Sequence, residues 1–152
     1  MRYVVQVVQN ASVTIDNQIR SKIGYGELVL YSFKRGDSQA IVDKMIDKLL
    51  KLRIFPDDEG KTNLNIAGVQ GQILAVSQFT LYASLKEGNR PAFVECMSAN
   101  DARKLSEYFE KKIKEKYPDT QFGVFQTDMK VSLLNDGPFS IILDSEELAY
   151  EG

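Results

Sequence analysis

The residues of this 152-residue chain that can do chemistry stand at the breaks of its apolar runs. Ser77 and Thr80 lie where the apolar stretch 72–79 gives way to a polar loop, and such strand ends present amides and hydroxyls to a ligand or, equally, satisfy loop backbone. Asn135, Asp136, Gly137 and Pro138 have the composition of a turn. The lone Cys96, beside Phe93 and Val94, reads as a half-buried small hydrophobe rather than a nucleophile, because no base stands ready to activate it. Histidine is absent from the chain, which removes Ser-His-Asp and Cys-His hydrolase constellations, histidine-based zinc sites and imidazole general bases together. Asp57, Asp58 and Glu59 form an acidic loop cluster without converging ligands, a poor metal site.

The elements that must hold these groups follow from periodicity. Residues 3–8 are valine-rich, and a second alternation through Val13 and Ile15 reaches the Asp16, Asn17 turn, with Ile19, Ser21 and Ile23 returning as a hairpin partner. The nearly unbroken apolarity of 28–33 predicts a strand buried on both faces. From Ser38 the period becomes helical: Ile41, Val42, Met45, Leu49 and Leu52 fall within about 100° of arc, with Asp37 or Ser38 as N-cap. A second helix starts near 98–101, buries Ala102, Leu105, Phe109 and Ile113, and ends by Tyr117 because Pro118 follows. Its opposite face carries Arg103, Lys104, Lys111 and Lys114, either a phosphate-facing surface, which Lys86 and Arg90 would extend, or simply a solvated one. Further strands are expected at 72–79, 122–125, 129–134 and 139–143.

Roughly seven or eight strands with two helices argue against strict βαβ alternation and for an α/β fold, a curved, barrel-like mixed β-sheet with two main helices packed outside. The chain reads as one domain over 1–145 followed by an acidic tail at 146–152. Its 43% hydrophobic and 26% charged residues exclude the disordered and fibrous classes, and a net charge of −2 gives no global pull toward nucleic acid. No apolar run reaches the roughly 18 residues of a membrane span, no signal peptide is recognisable, and one cysteine permits no intrachain disulfide, so the cytosol is the expected compartment.

Taken together, Ser77, Gln78, Phe79, Thr80 and Leu81, then Gly88, Asn89, Arg90 and Pro91, then Asn135, Asp136, Gly137 and Pro138 resemble the D-aminoacyl-tRNA deacylase family. Ala11-Ser12-Val13, Arg53-Ile54-Phe55, Asn63-Leu64-Asn65 and the set Gly123, Phe125, Asp128 and Met129 extend the likeness over residues 1 to about 144. The resemblance implies a homodimer acting on the aminoacylated 3′ end of tRNA without metal or cofactor. Ser77, Gln78, Phe79 and Thr80 frame the ester, and backbone amides around Phe79 hold its developing charge. In the family the Gly-Pro peptide is cis and its carbonyls exclude L-residues, so the resemblance implies that role for Gly137 and Pro138, with Phe125 and Met129 expected to line the amino-acid space. The sequence leaves the Gly137–Pro138 bond itself open between cis and trans.

Four departures bear on that expectation. Val7 replaces the arginine that braces the Gly-Pro carbonyls in the family, Ser32 replaces a glycine, and Phe139-Ser140 and Ser84-Leu85 replace Val-Thr and Asp-Thr. With Val7, the filter either discriminates poorly or has another brace, for which Gln6, Gln78 and Arg90 have suitable donors. Two further functions compete with the deacylase reading: a noncatalytic dimeric paralogue that binds RNA or protein, and hydrolysis of a different small ester.

Overall fold

The computed structural model of the chain describes residues 1–148. Its sheet is built around one long strand. β1 (Arg2–Ile15) is flanked on one edge by β3 (Gly26–Ser32) and β2 (Gln18–Ile23), and on the other by β8 (Lys130–Asp144), all antiparallel. Beyond β3, β6 (Gln72–Ser77) and β7 (Thr120–Phe122) continue the sheet in parallel. The sheet curls until β2 nears β7, where Ser21 Oγ donates to the Phe122 carbonyl at 2.8 Å. β4 (Phe55–Pro56) and β5 (Thr62–Leu64), which periodicity missed, form a separate two-stranded ribbon.

This curl gives the sheet two buried faces. Tyr3, Val5, Val7, Val29, Tyr31, Ile73 and Ala75 pack toward the helices, whereas Val8, Ala11, Val13, Leu28, Leu74 and Val76 fill the inside of the curl. The unbroken apolar runs of β3 and β6 follow from that double burial. β3 and β6 approach so closely at Gly26 that a Cβ there would lie 1.8 Å from the Gln72 carbonyl oxygen, so only glycine fits.

α1 (Gln39–Lys51) starts where the Ser38 hydroxyl accepts from Ile41 N–H, which settles the N-cap in favour of Ser38 over Asp37. It buries Val42, Met45, Ile46 and Leu49, each contributing about 1.5–3 kcal/mol through burial of apolar surface. α2 (Ala99–Lys116) is capped by Ser98 and stops at Tyr117 before Pro118, as its sequence requires. Phe109 of α2 meets Tyr31 with ring centroids 4.4 Å apart, and Ser106 hydrogen-bonds the Tyr31 hydroxyl at 2.6 Å.

Several expected boundaries differ. β1 runs unbroken through Asn10, and β8 runs from Lys130 to Asp144 without ending at the Asn135, Asp136, Gly137 turn. Both continue because they pair with each other on either side of these positions, and β8 absorbs the turn chemistry as a bulge at 136–139 without ending the strand. β7 ends at Phe122, leaving Phe125 in a loop, and β6 ends at Ser77. Ser145–Leu148, which overlaps the expected acidic tail, is a one-turn 3-10 helix with Leu148 buried, while residues 149–152 lie outside the described residues. Among the described residues no helix is long and apolar enough to cross a membrane.

Candidate active site

β6 delivers its C-terminal end to a cavity of about 760 Å³, a size suited to a small-ligand cleft. Gln78 N–H extends the parallel ladder to the Tyr31 carbonyl at 2.8 Å, and the chain then turns into a 3-10 helix, Phe79–Tyr82. The N–H groups of Phe79 and Thr80 are the first two of that helix, and neither meets a protein acceptor among the described residues. A helix start leaves its first amides without internal partners, so this pair is available to a ligand oxygen.

The orientation of the Phe79–Thr80 peptide is held from behind. Ser32 Oγ donates to the Phe79 carbonyl at 3.2 Å and Cys96 Sγ approaches the same oxygen at 3.4 Å. Because C=O and N–H point opposite ways across a trans peptide, anchoring that carbonyl aims the Thr80 N–H the other way. At the far end of the turn Arg2 donates to the Leu81 carbonyl at 2.7 Å, stacks 4.5 Å from the Tyr82 ring centroid and pairs with Asp144 at 2.8 Å. Arg2 is far from this turn in sequence and no local pattern marks it, while the departure at Ser32 and the lone Cys96 both prove to act on this one carbonyl. Ser32→Ala is expected to reduce kcat about two- to tenfold, the worth of one neutral hydrogen bond of about 0.5–1.5 kcal/mol, with little change in KM; steady-state kinetics checks it.

The cavity brings together Ser77, Gln78 and Phe79 with Phe125 and Met129, as the sequence motifs imply. Met129 is seated by Gly123, where a Cβ would lie 2.6 Å from its sulfur, and its sulfur accepts from Val124 N–H. Arg103 lies 5.9 Å over the Phe125 ring and donates to Gln126, so that member of the basic face supports the cavity wall. Lys114 likewise donates to the Thr120 carbonyl at 2.8 Å. Among the described residues the basic face therefore divides between Arg103 and Lys114, which make structural contacts, and Lys104 and Lys111, which have none. Cys96 also lines the cavity, and burial, reinforced by nearby Glu95, pushes its thiol pKa up, away from nucleophilic thiolate. The Asp57 carboxylate closes its own loop, accepting from Glu59 N–H and Lys61 N–H, both at 2.9 Å.

Thr80, Gly137 and Pro138 do not line this cavity. The Thr80 hydroxyl is taken up by the Gln78 amide, and the exposed, cis Gly137–Pro138 peptide lies on β8. There β8 makes an excursion: Gln6 faces Ser140 and Val8 faces Asn135, so residues 136–139 loop out opposite Val7 alone. Val7 is buried in the helix-side core, against which Phe139 also packs, so the two departures at these positions fill one apolar region. Of the three candidate braces, none donates to the Gly137 or Pro138 carbonyl among the described residues. Gln6 instead donates to Ser140 Oγ at 3.2 Å, and Gln9, which the sequence did not single out, donates to Asp136 Oδ2 at 2.6 Å. The two glutamines thus clasp the excursion at both ends.

Residues 4–144 match the family model described as D-Tyr-tRNA(Tyr) deacylase. The chain belongs to that deacylase family. It is accordingly a hydrolase of ester bonds. It is 49% identical to the D-aminoacyl-tRNA deacylase of Lactobacillus acidophilus, over 95% of this chain and 99% of the relative. Identity to the protein of that name from Clostridium tetani is 43%, over 97% and 99%. Among solved structures, the c-Myc DNA unwinding element binding protein superposes with a TM-score of 0.90 at 36% identity, covering 95% of this chain and 98% of that one. A probable eukaryotic D-amino acid tRNA deacylase shares the fold, with a TM-score of 0.81 at 16% identity over 93% and 97%. The family assignment agrees with the barrel-like α/β architecture and with the cavity at the end of β6.

Proposed function

We propose that this chain hydrolyses the ester of D-aminoacyl-tRNA, and of glycyl-tRNA, as a cytosolic homodimer without metal or cofactor. The observation that carries the reading is the pair of unengaged amides at Phe79 and Thr80 beside the cavity. In the proposed step, water adds to the ester carbonyl and the oxyanion is held by those amides. The acyl C–O bond then breaks, and the terminal 3′-oxygen leaves with a proton, aided by the neighbouring 2′-hydroxyl. The exposed ring of Phe79, 5.3 Å from Phe93, offers an aromatic face for the terminal base. The test is deacylation of D-tyrosyl-tRNA beside L-tyrosyl-tRNA and glycyl-tRNA. Turnover of the D and glycyl esters alone supports the assignment, and RNA binding without turnover supports a noncatalytic paralogue.

The composition of the cavity supports the homodimer reading. Gly137–Pro138 can filter chirality only from the partner subunit, since the same chain's motif is not at its own cavity. The surrounding strand also exposes Leu134 at 57% and Ile142 at 65%, large apolar side chains that a second subunit would cover. Sedimentation at micromolar concentration should give twice the chain mass. Leu134→Glu with Ile142→Glu should give an inactive monomer, and an active monomer would remove the shared-site argument.

The glutamine clasp takes over the bracing that the family assigns to arginine. Gln6→Ala with Gln9→Ala should lower the D-to-L ratio of kcat/KM by about tenfold, the equivalent of about 1.4 kcal/mol, with unfolding stability little changed. Parallel assays on the two enantiomeric substrates decide it; an unaltered ratio would show that these bonds do not position the filter.

A further inference from the structure

A second groove opens directly from the reaction cavity. It has a volume of about 610 Å³ and lies between the loop leading into α1 and the start of α2. Arg35, Met97 and Ser98 line both spaces, so the groove and the cavity adjoin at these residues.

Its cations are Arg35 and Lys104, both exposed, and neither side chain makes an ion pair or hydrogen bond among the described residues. Its acids are not equivalent to them. Asp37 is committed to the Met1 ammonium at 2.5 Å and to Lys34 N–H at 2.7 Å, which leaves Asp101 as the groove's one uncompensated carboxylate. Two free cations against one carboxylate favour an anionic ligand. In a chain with net charge −2 this is a local feature and not the overflow of a basic protein.

We propose that this groove holds phosphodiester groups of the single-stranded 3′ end of the substrate, with Arg35 and Lys104 as their cationic contacts. The inference rests on the aminoacyl-tRNA reading and deepens it: with the acylated terminal ribose in the cavity, the strand's next phosphates have a charged path at its mouth. A positively charged groove adjoining an aromatic face is the arrangement that tracks a single strand. The role of Lys104 is then electrostatic binding, separate from the structural contacts of Arg103 and Lys114 on the same helix.

The experiment compares the wild type with Arg35→Ala/Lys104→Ala on two esters, D-tyrosyl-tRNA and 3′-O-(D-tyrosyl)adenosine, which has no phosphate. It also measures binding of a non-aminoacylated RNA oligonucleotide ending in CCA. The double variant should raise KM for the tRNA ester about tenfold or more relative to any change with the adenosine ester. It should also flatten the salt dependence of RNA binding by about 0.7 in log-log slope per lost phosphate contact. Equal losses on both esters, or unchanged RNA affinity and salt slope, would overturn the groove as a phosphate site. If the wild type cleaves neither ester yet binds the oligonucleotide in an Arg35- and Lys104-dependent way, the groove stands and the deacylase reading falls.

Discussion

Phe79→Pro is expected to lower kcat/KM toward D-tyrosyl-tRNA by about 10²- to 10³-fold, the loss that follows removal of one oxyanion donor. Proline has no N–H, and the first helical position tolerates its fixed φ. Gln78 before it lies outside the α region that proline disfavours for its predecessor, with φ −148° and ψ 86°. The substitution therefore deletes the amide while leaving the local fold in place. Phe79→Ala separates amide from ring: it keeps the donor, loses the aromatic face, and should raise KM while kcat falls much less. Equal kcat values for the proline and alanine variants would exclude the Phe79 amide as an oxyanion donor.

The second large effect lies away from the cavity. Glu27 sits on β3 directly across from Val7, is 1% exposed, and neither carboxylate oxygen meets a donor among the described residues. The equally unpartnered Tyr3 hydroxyl from β1 and Tyr117 at the end of α2 lie within reach of its charge; burial pushes both their pKa values up, followed by Tyr31 for the first and Asp119 for the second, and then by Glu27. Burial raises the Glu27 carboxyl from its ordinary 4.5 to about 8, so the folded protein holds it neutral at pH 7.

The sign of the resulting pH dependence is fixed by that direction. The folded state binds the proton more tightly than the unfolded chain, so this contribution to stability is complete below pH 4.5 and is lost progressively as pH rises to about 8. At about 1.4 kcal/mol per pH unit the loss is on the order of 5 kcal/mol, a large share of a typical domain's stability. Glu27→Gln, which imitates the neutral acid, should match the wild type near pH 4.5 and exceed it by several kcal/mol at pH 9. Val7→Arg should narrow the same gap by placing a guanidinium opposite the carboxyl. Urea melts at the two pH values measure both, and parallel pH profiles for wild type and Glu27→Gln would show that Glu27 is not held neutral by the fold.

Much of the site was legible in the chain because it is local. Ser77 to Leu81 lies at the end of an apolar run, and the caps Ser38 and Ser98 with Pro118 delimit the helices through contacts a few residues apart. The motifs likewise brought Phe125 and Met129 to the same cavity. Gln9 and Arg2 were not legible as site residues, since each acts on a segment 79 to 142 residues away. Ser32 stands out in the sequence only as a departure from the family's glycine, and its bond to the Phe79 carbonyl 47 residues away is set by the fold. The basic face of α2 was visible as a pattern, but which of its members are engaged depends on loops that helical spacing does not describe.

The sequence by itself determined the helices, the strand end at Ser77, the family and the lack of imidazole chemistry, because side-chain type and short spacing suffice for each. Tertiary structure decided that β1 and β8 pass through their local break signals, that Glu27 is buried without a partner among the described residues, and that Gly137–Pro138 lies off its own chain's cavity. The physical reason is the same in all three. Register, burial and the placement of a site across a sheet are set by which distant segments pair and pack, and a residue's own neighbours in the chain carry no record of that partner.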